Sequence, residues 1–238
     1  MKDLTTNYMG LQLKSPIVAA ASDVTNSLQN LKKLEESGVG AVVLKSLFEE
    51  EILMEMEEMM HEMTSRPYVF PETKDYLDET HEEDTVRQYL RYISEARETV
   101  SVPVIASINC VSDQKWTYLA REIEKAGADA LELNMFILPS DFNRSSEENE
   151  ALYFDVIEKV KQKIDIPIAL KISYYFSNLG QMIKRLSETD ISALVLFNRF
   201  YSPDIDLKSL KLIPSKVLSS SEDLTISLRW IAIMANRV

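Results

Sequence analysis

A short apolar run that ends in polar residues recurs six times along this chain, and an amphipathic segment follows each run. The clearest example is 127–134, GADALELN, which starts with a glycine and ends with Glu132 and Asn134. Glycine commonly follows the end of a helix, and an apolar run of this length fits a strand buried on both faces of a parallel sheet. The repeat therefore predicts strands that alternate with helices around one parallel sheet.

The spacing of these runs is that of a (β/α)₈ barrel. The predicted strands are 16–21, 40–44, 103–108, 127–134, 167–172 and 191–197, and a short hairpin within about 5–15 precedes them. An open doubly wound sheet would carry a glycine-rich phosphate turn after its first strand, but 21–25 reads ASDVT. The sequence therefore predicts one α/β domain over 1–238, a TIM-type (β/α)₈ barrel truncated after about six βα units.

Three segments do not follow the repeat. Residues 49–63 read as an acidic helix with a methionine-rich side, which either binds a partner or packs on its own protein. Residues 66–80 combine prolines, aromatics and charges without a period, which predicts a loop or short turns. Residues 201–221 are predicted to be irregular, with a last helix over 228–234.

Composition narrows the class of protein. The formal net charge of −12 argues against nucleic acid as a partner, and no apolar run approaches the roughly 20 residues of a membrane span. The first residues lack the apolar core of a signal peptide, and a single cysteine excludes an internal disulfide. His61 and His81 have no metal-ligand spacing. We expect a cytoplasmic protein with a small-molecule substrate, no metal, no nucleic-acid or membrane partner, and a homodimer as its possible assembly.

Polar residues stand at the carboxyl ends of the predicted strands, which converge at one face of a barrel. They are Ser22, Lys45, Ser46, Asn109, Cys110, Glu132, Asn134, Lys171, Asn198 and Arg199. Lys171 interrupts an apolar run, and a lysine inside a barrel is unfavourable unless it meets an anion or an acceptor. Two lysines and three amides at one mouth suit a flat, carbonyl-rich, anionic ligand. The alternative is that Glu132 and Asn134 only tie down the following loop.

These segments resemble the dihydroorotate dehydrogenase family of FMN-dependent (β/α)₈ barrels. The matching segments are, in order, 9–17, 38–46, 106–109, 131–134, 170–172 and Asn198. The resemblance implies an FMN oxidoreductase of pyrimidine biosynthesis that acts on a CH–CH group. The cofactor-binding residues that it implies are Ala21, Ser22, Lys45, Ser46, Asn109, Asn134, Lys171 and Asn198. It places Lys171 near the pyrimidine end of the flavin, where a positive charge favours the anionic reduced form.

The chain departs from this family at two places. After Glu-Leu-Asn the family carries a serine or cysteine base and a Pro-Asn pair, whereas residues 135–140 here read MFILPS. The remaining candidates for a catalytic role are Lys45, Cys110 and Ser140, although Cys110 also fits a small buried thiol. In the family the FMN phosphate is held after strands 7 and 8, beyond the six strands predicted here. The resemblance thus implies weak FMN binding by this chain and a largely colourless purified protein.

Two other functions stay open on the sequence. The altered loop at Met135 and Phe136 fits a non-catalytic or assembly subunit that keeps the barrel but has lost the base and the phosphate site. Lys171 on a barrel strand also fits an aldolase that forms a Schiff base with its substrate.

Overall fold

The computed structural model describes residues 3–50, 71–109, 113–198, 203–214 and 219–238. Most of the methionine-rich segment, Cys110 and Arg199 lie outside these residues, so the predictions made for them stay predictions. None of the helices within the described ranges has the length and apolar character needed to cross a bilayer.

An antiparallel hairpin precedes the main sheet, as predicted. Its strands are β1 (Thr6–Tyr8) and β2 (Leu11–Leu13). Met9 and Gly10 join them with φ values of 58° and 81°. Positive φ at both positions of a two-residue turn gives the backbone twist that matches the flanking strands. Met9 and Leu13 are buried against the inner face of the main sheet, so the hairpin closes the base of the fold.

A curled parallel sheet of seven strands forms the centre of the molecule. Its strands are β3 (Val18–Ala19), β4 (Ala41–Val43), β5 (Leu47–Phe48), β6 (Val104–Asn109), β7 (Ala130–Asn134), β8 (Ile168–Ile172) and β9 (Ala193–Leu196). The order is β3-β4-β6-β7-β8-β9, and β5 pairs with β6 beyond the end of β4. Since β4 and β5 are two parts of one strand, the six predicted barrel strands are confirmed.

Helices cover the outer face of this sheet. They are α1 (Leu28–Glu36), α2 (Pro71–Thr99), α3 (Asp113–Lys125), α4 (Ser146–Lys161), α5 (Leu179–Ser187) and α6 (Leu224–Met234). Ser27 caps α1 by accepting the Asn30 N–H at 3.3 Å. At the start of α4, Ser145 and Glu148 form a reciprocal capping box. These caps set where two of the helices begin after their strands.

Alternation along the strands separates two cores. On β7, Leu131 and Leu133 pack against the helices, whereas Ala130 belongs to a second cluster inside the curl. The inner cluster is built from small and medium side chains: Met9, Leu13, Ala41, Val43, Ile105, Ala130 and Ala169. Because successive side chains point to opposite faces, Glu132 and Asn134 continue the inner row above Ala130. The alternation of side chains along β7 thus places Glu132 and Asn134 on the inner face of the sheet.

Two sequence predictions are wrong. Residues 71–80, predicted as a loop, begin the helix α2. Pro71 is the first residue of that helix, where its missing N–H has no partner to lose. Residues 203–214, predicted as irregular, form a hairpin of β10 (Pro203–Ile205) and β11 (Leu212–Pro214). The Asp206 carboxylate accepts the N–H groups of Lys208 and Ser209 at 2.7 and 3.0 Å, which stabilises its turn.

Candidate active site

The inner face of the curled sheet encloses a cavity of about 830 Å³. The hairpin, both edge strands and the sheet centre contribute residues to its wall, among them Tyr8, Ala21, Ser22, Glu132, Lys171 and Phe197. A concave space at the inner face of a parallel barrel is the usual position of a ligand in this architecture. The cavity is therefore the candidate active site.

A chain of polar side chains starts in the wall of this cavity, at Lys171 and Glu132. Lys171 Nζ lies 3.5 Å from Glu132 Oε1, and the two side chains are only 12% and 5% exposed. Ser107 Oγ donates to the same carboxylate oxygen at 3.1 Å. Ser46 Oγ lies 2.8 Å from Ser107 Oγ, and Asn134 Nδ2 lies 3.4 Å from Ser46 Oγ. Four neighbouring parts of the sheet are thus joined by side chains alone.

The carboxylate of Glu132 determines which atom donates in each hydrogen bond of this polar chain. An ionised carboxylate only accepts hydrogen bonds, so Ser107 donates its single hydroxyl proton to Glu132. Ser46 must then donate to Ser107, and it accepts from the amide nitrogen of Asn134. The amide oxygen Oδ1 of Asn134 is left buried, with no partner among the residues that the structure describes. An acceptor of this kind is unfavourable unless a donor from a ligand or a water molecule meets it.

A second buried polar atom lacks a partner within the described part of the chain. It is Nδ2 of Asn198, which lies just beyond β9. The backbone N–H of Asn198 donates to the carbonyl of Ile172 at 2.9 Å, which fixes the residue beside the end of β8. One acceptor and one donor are thus held at the ends of β7 and β9. A ligand whose ring edge alternates N–H and C=O groups can satisfy both.

Lys45 lies at the rim rather than in this polar chain. Its ammonium is 3.1 Å from the Asp23 carboxylate, and the two side chains are 37% and 89% exposed. An ion pair this exposed contributes little to stability. Lys45 can therefore leave Asp23 for an anionic ligand at small cost.

The structure places Asn109 and Ser140 apart from both this cavity and the polar chain. Asn109 lines a different cavity of about 350 Å³, together with Trp116 and Met135. Ser140 is exposed in the loop after β7 and does not line the cavity that contains Lys171. Of the predicted site residues, Ala21, Ser22 and Lys171 line the cavity. Ser46 and Asn134 are joined to Lys171 through the polar chain.

Sequence reasoning did not assign Ser107 or Tyr8 to the site, and it placed Glu132 at the strand end without a role. A usable signal was present for Ser107, which is the one polar residue inside the run 103–108. Ser107 pairs in register with Glu132, so both lie on the inner face. Tyr8 gave no such signal, because its place at the cavity depends on how the hairpin folds back.

Tyr8 makes the stability of the fold sensitive to high pH. Burial, together with the charge of Glu132, raises the pKa of the Tyr8 phenol from 10.0 to about 12. Between these values the folded chain holds a proton that the unfolded chain has released, so stability is full below pH 10 and declines as the pH rises. Burial also raises the pKa values of Tyr92 and Tyr153, so we expect Tyr8→Phe to remove only the part of the decline that Tyr8 causes. The stability of the wild type relative to Tyr8→Phe should fall by about 1 to 2 kcal/mol across that interval.

Urea unfolding of both proteins from pH 8 upward measures this difference, and the values below pH 10 serve as the internal control. A difference that stays constant up to pH 12 would show that the Tyr8 phenol ionises equally well in the folded chain.

The pattern of the Dihydroorotate dehydrogenase family matches residues 3–221. The chain belongs to the dihydroorotate dehydrogenase family. The match covers most of the chain and includes every strand of the parallel sheet. A curled parallel sheet with outer helices is the partial TIM-type barrel that membership in this family implies, so the predicted fold class is confirmed.

Relatives in this family are distant in sequence. The catalytic subunit of dihydroorotate dehydrogenase B (NAD(+)) from Thermoplasma volcanium is 26% identical over 215 residues, which are 88% of this chain and 66% of the relative. The corresponding subunit from Methanocaldococcus jannaschii is 23% identical over 216 residues, 87% of this chain and 66% of the relative. Subunit PreA of the NAD-dependent dihydropyrimidine dehydrogenase from Escherichia coli is 25% identical over 188 residues, 76% of this chain and 44% of the relative. The chain thus spans about two thirds or less of the length of these relatives.

Proposed function

We propose that this chain forms the FMN- and substrate-binding part of an oxidoreductase that acts on a CH–CH group of a small cyclic substrate. The observation that supports this most is a pair of buried amide atoms, Asn134 Oδ1 and Asn198 Nδ2, that have no partner among the described residues. They lie at the carboxyl end of β7 and just beyond β9, next in sequence to segments that line the barrel cavity. Family membership supplies the class of reaction. The hydrogen-bond acceptor, the hydrogen-bond donor and the lysine cation of the site complement the polar groups of a flavin ring.

The residues of the site fit the pyrimidine side of a flavin, which alternates carbonyl and N–H groups. Asn134 would accept from a ring N–H, and Asn198 would donate to a ring carbonyl. Lys171 lines the cavity beside them and presents a cation that is held in place by Glu132. When bound, FMN supplies the capacity to accept a hydride.

The substrate class follows from the relatives, whose names give dihydroorotate and dihydropyrimidines as the compounds they oxidise. We propose a dihydropyrimidine-type ring as the substrate of this site. Oxidation of such a ring to a C=C bond would remove a hydride, which bound FMN would be able to accept, and a proton from the adjacent carbon, which a base or water would take. Lys45 at the rim would bind a negatively charged group of the substrate or cofactor.

The Schiff-base alternative is disfavoured by the partner of Lys171. A Schiff base needs a neutral amine that is free to attack a carbonyl. Lys171 is instead ion-paired with the buried carboxylate of Glu132 at 3.5 Å. This arrangement suits a fixed cation that interacts with a ligand by charge.

Titration of the purified chain with FMN tests the proposal, with quenching of flavin fluorescence as the signal. We expect saturable binding, and riboflavin, which carries the ring without the phosphate, should compete. Asn134→Ala should weaken binding by roughly tenfold, because a ligand N–H loses its buried acceptor. Asn143→Ala is the matched control, since Asn143 is exposed in the loop between β7 and α4.

The second stage tests the reaction. Anaerobic addition of dihydroorotate or dihydrouracil to the FMN-loaded chain should bleach the flavin absorbance with at least one of the two. Absence of saturable FMN binding up to millimolar concentration, or equal affinities for Asn134→Ala and the wild type, would contradict the proposed function.

A further inference from the structure

The second barrel strand contains one extra residue between β4 and β5. Val43 pairs with Ile105, and Leu47 pairs with Ile108. Three residues of this strand, 44–46, therefore lie opposite only two residues of β6, 106–107. Such an insertion is a β-bulge, which re-aims the side chains that follow it.

The bulge decides which way Ser46 points. Val43 lies in the inner cluster, and Leu44 and Leu47 both pack on the helix side. The extra residue lets Ser46 face inward, where its Oγ reaches Ser107 Oγ at 2.8 Å. In a continuous strand the alternation would carry Lys45 into the interior and turn Ser46 toward the helices. The polar chain that orients Asn134 exists only in the bulged register.

A side chain from a helix occupies the position that the bulge leaves open beside β6. The hydroxyl of Tyr89, on α2, accepts the N–H of Ser107 at 2.9 Å and donates to the carbonyl of Ser107 at 2.9 Å. These are the two backbone groups that a regular neighbouring strand would bind. Ser107 is fully buried, so the loss of both bonds would be strongly unfavourable.

The phenol is suited to this position. Burial raises the pKa of Tyr89 well above its ordinary value, so the hydroxyl keeps the proton that it donates. The backbone N–H and C=O groups of Ser107 can thus be hydrogen-bonded in two ways. Either a continuous strand binds its backbone, or the Tyr89 hydroxyl binds it and the strand bulges.

We propose that Tyr89 is a positioning residue that stabilises the bulged register and thereby places Ser46 and Asn134 at the ligand site. The inference deepens the proposed function and rests on it for the identity of the ligand. The effect of Tyr89 on the bulge does not depend on any ligand.

Tyr89→Phe tests the inference, because it keeps the ring and removes only the hydroxyl. The matched control is Tyr92→Phe, one turn along the same helix, whose hydroxyl donates to the Thr25 carbonyl at 2.9 Å, away from the bulge. On the ligand-free chain, we expect the Ser107 amide to exchange its hydrogen roughly tenfold faster in Tyr89→Phe. We also expect the side-chain NH₂ signals of Asn134 to shift. Neither change should occur in Tyr92→Phe.

The affinity of each variant for FMN is the second quantity to measure. The affinity for FMN should fall roughly tenfold in Tyr89→Phe and stay within about twofold in Tyr92→Phe. If Tyr89 acts through Ser46, the effects of Tyr89→Phe and Ser46→Ala on affinity should be less than additive in the double variant. Ser46→Ala alone should weaken FMN binding while Ser107 exchange stays slow, and this single variant remains usable if Tyr89→Phe does not fold.

The outcomes separate the two proposals. Unchanged Ser107 exchange and unchanged Asn134 signals in Tyr89→Phe overturn the role of Tyr89, whatever happens to FMN. Faster exchange with unchanged Asn134 signals and unchanged affinity also overturns it, because the bulge would then not position the site. Failure of the wild type to bind FMN defeats the proposed function, whereas the two measurements on the ligand-free chain still decide the role of Tyr89.

Discussion

Replacing Lys171 with methionine is expected to lower the free energy of unfolding by about 3 kcal/mol, because it leaves the buried carboxylate of Glu132 without its cation. Both side chains are almost fully buried, so water cannot replace the lost partner. Methionine keeps the length and apolar stem of lysine, which limits the change to the loss of charge. We expect FMN affinity to fall with it, since the same cation faces the cavity. Urea unfolding of the ligand-free chain measures the first effect.

Two controls separate the buried charge from a general effect of removing lysine. Lys184→Met removes a lysine whose partner, Glu188, lies 3.9 Å away with both side chains 63% exposed, and it should change stability by less than about 0.5 kcal/mol. The double variant Glu132→Gln with Lys171→Met replaces the ion pair by neutral groups and should recover most of the loss. A double variant no more stable than Lys171→Met alone would refute the idea that an unpaired carboxylate causes the loss.

Gly40→Ala is expected to destabilise the fold by about 3 kcal/mol, through a clash between backbones at the start of β4. A Cβ on Gly40 would lie 1.9 Å from the carbonyl oxygen of Ser15. The backbone cannot move aside easily there, because the Gly40 N–H donates to the Ile17 carbonyl at 2.7 Å. The displaced segment leads through β3 to Ala21 and Ser22 on the cavity wall. The melting temperature should fall by roughly 10 °C, and FMN binding should weaken.

Gly180→Ala is the matched control for this substitution. Gly180 lies in α5, and a Cβ there would be 3.8 Å from the Trp230 ring, an ordinary contact. Alanine also favours a helix over glycine, so we expect no loss or a gain of about 0.5 kcal/mol. Equal melting temperatures for Gly40→Ala and the wild type would mean that β3 and β4 separate without loss of stability.

The regular elements were predictable from local patterns. The apolar run 127–134 gave β7 because a strand buried on both faces needs apolar side chains at nearly every position. The start of α2 was missed because the prolines, aromatics and charges of 66–80 have no apolar period and favoured a loop, whereas Pro71 is the first helical residue. Residues 203–214 were missed because, within the described part of the chain, β10 and β11 pair with each other and not with strands of the main repeat.

The site was predictable only in part. Asn134 and Lys171 were found because strand ends of a barrel converge, and four side-chain contacts join them through Ser46, Ser107 and Glu132. Asn109 and Ser140 were grouped with them on the same argument, yet the structure places both outside the cavity that contains Lys171. Position at a strand end predicts the face of the barrel, whereas it does not predict which cavity a side chain lines.

By itself, the sequence determined the fold class, the order of the strands and the inward row of Glu132 and Asn134, because hydrophobic alternation and helix signals act over a few residues. Only the tertiary structure decided the register of the second strand, the direction of the hydrogen bonds from Asn134 to Glu132, and the role of Tyr89. Each of these depends on contacts between residues far apart in the chain, such as the 61 positions that separate Ser46 from Ser107. A hydroxyl on α2 and a single extra residue between β4 and β5 together bring Ser46 into contact with Ser107 and Asn134, and no local pattern encodes that pairing.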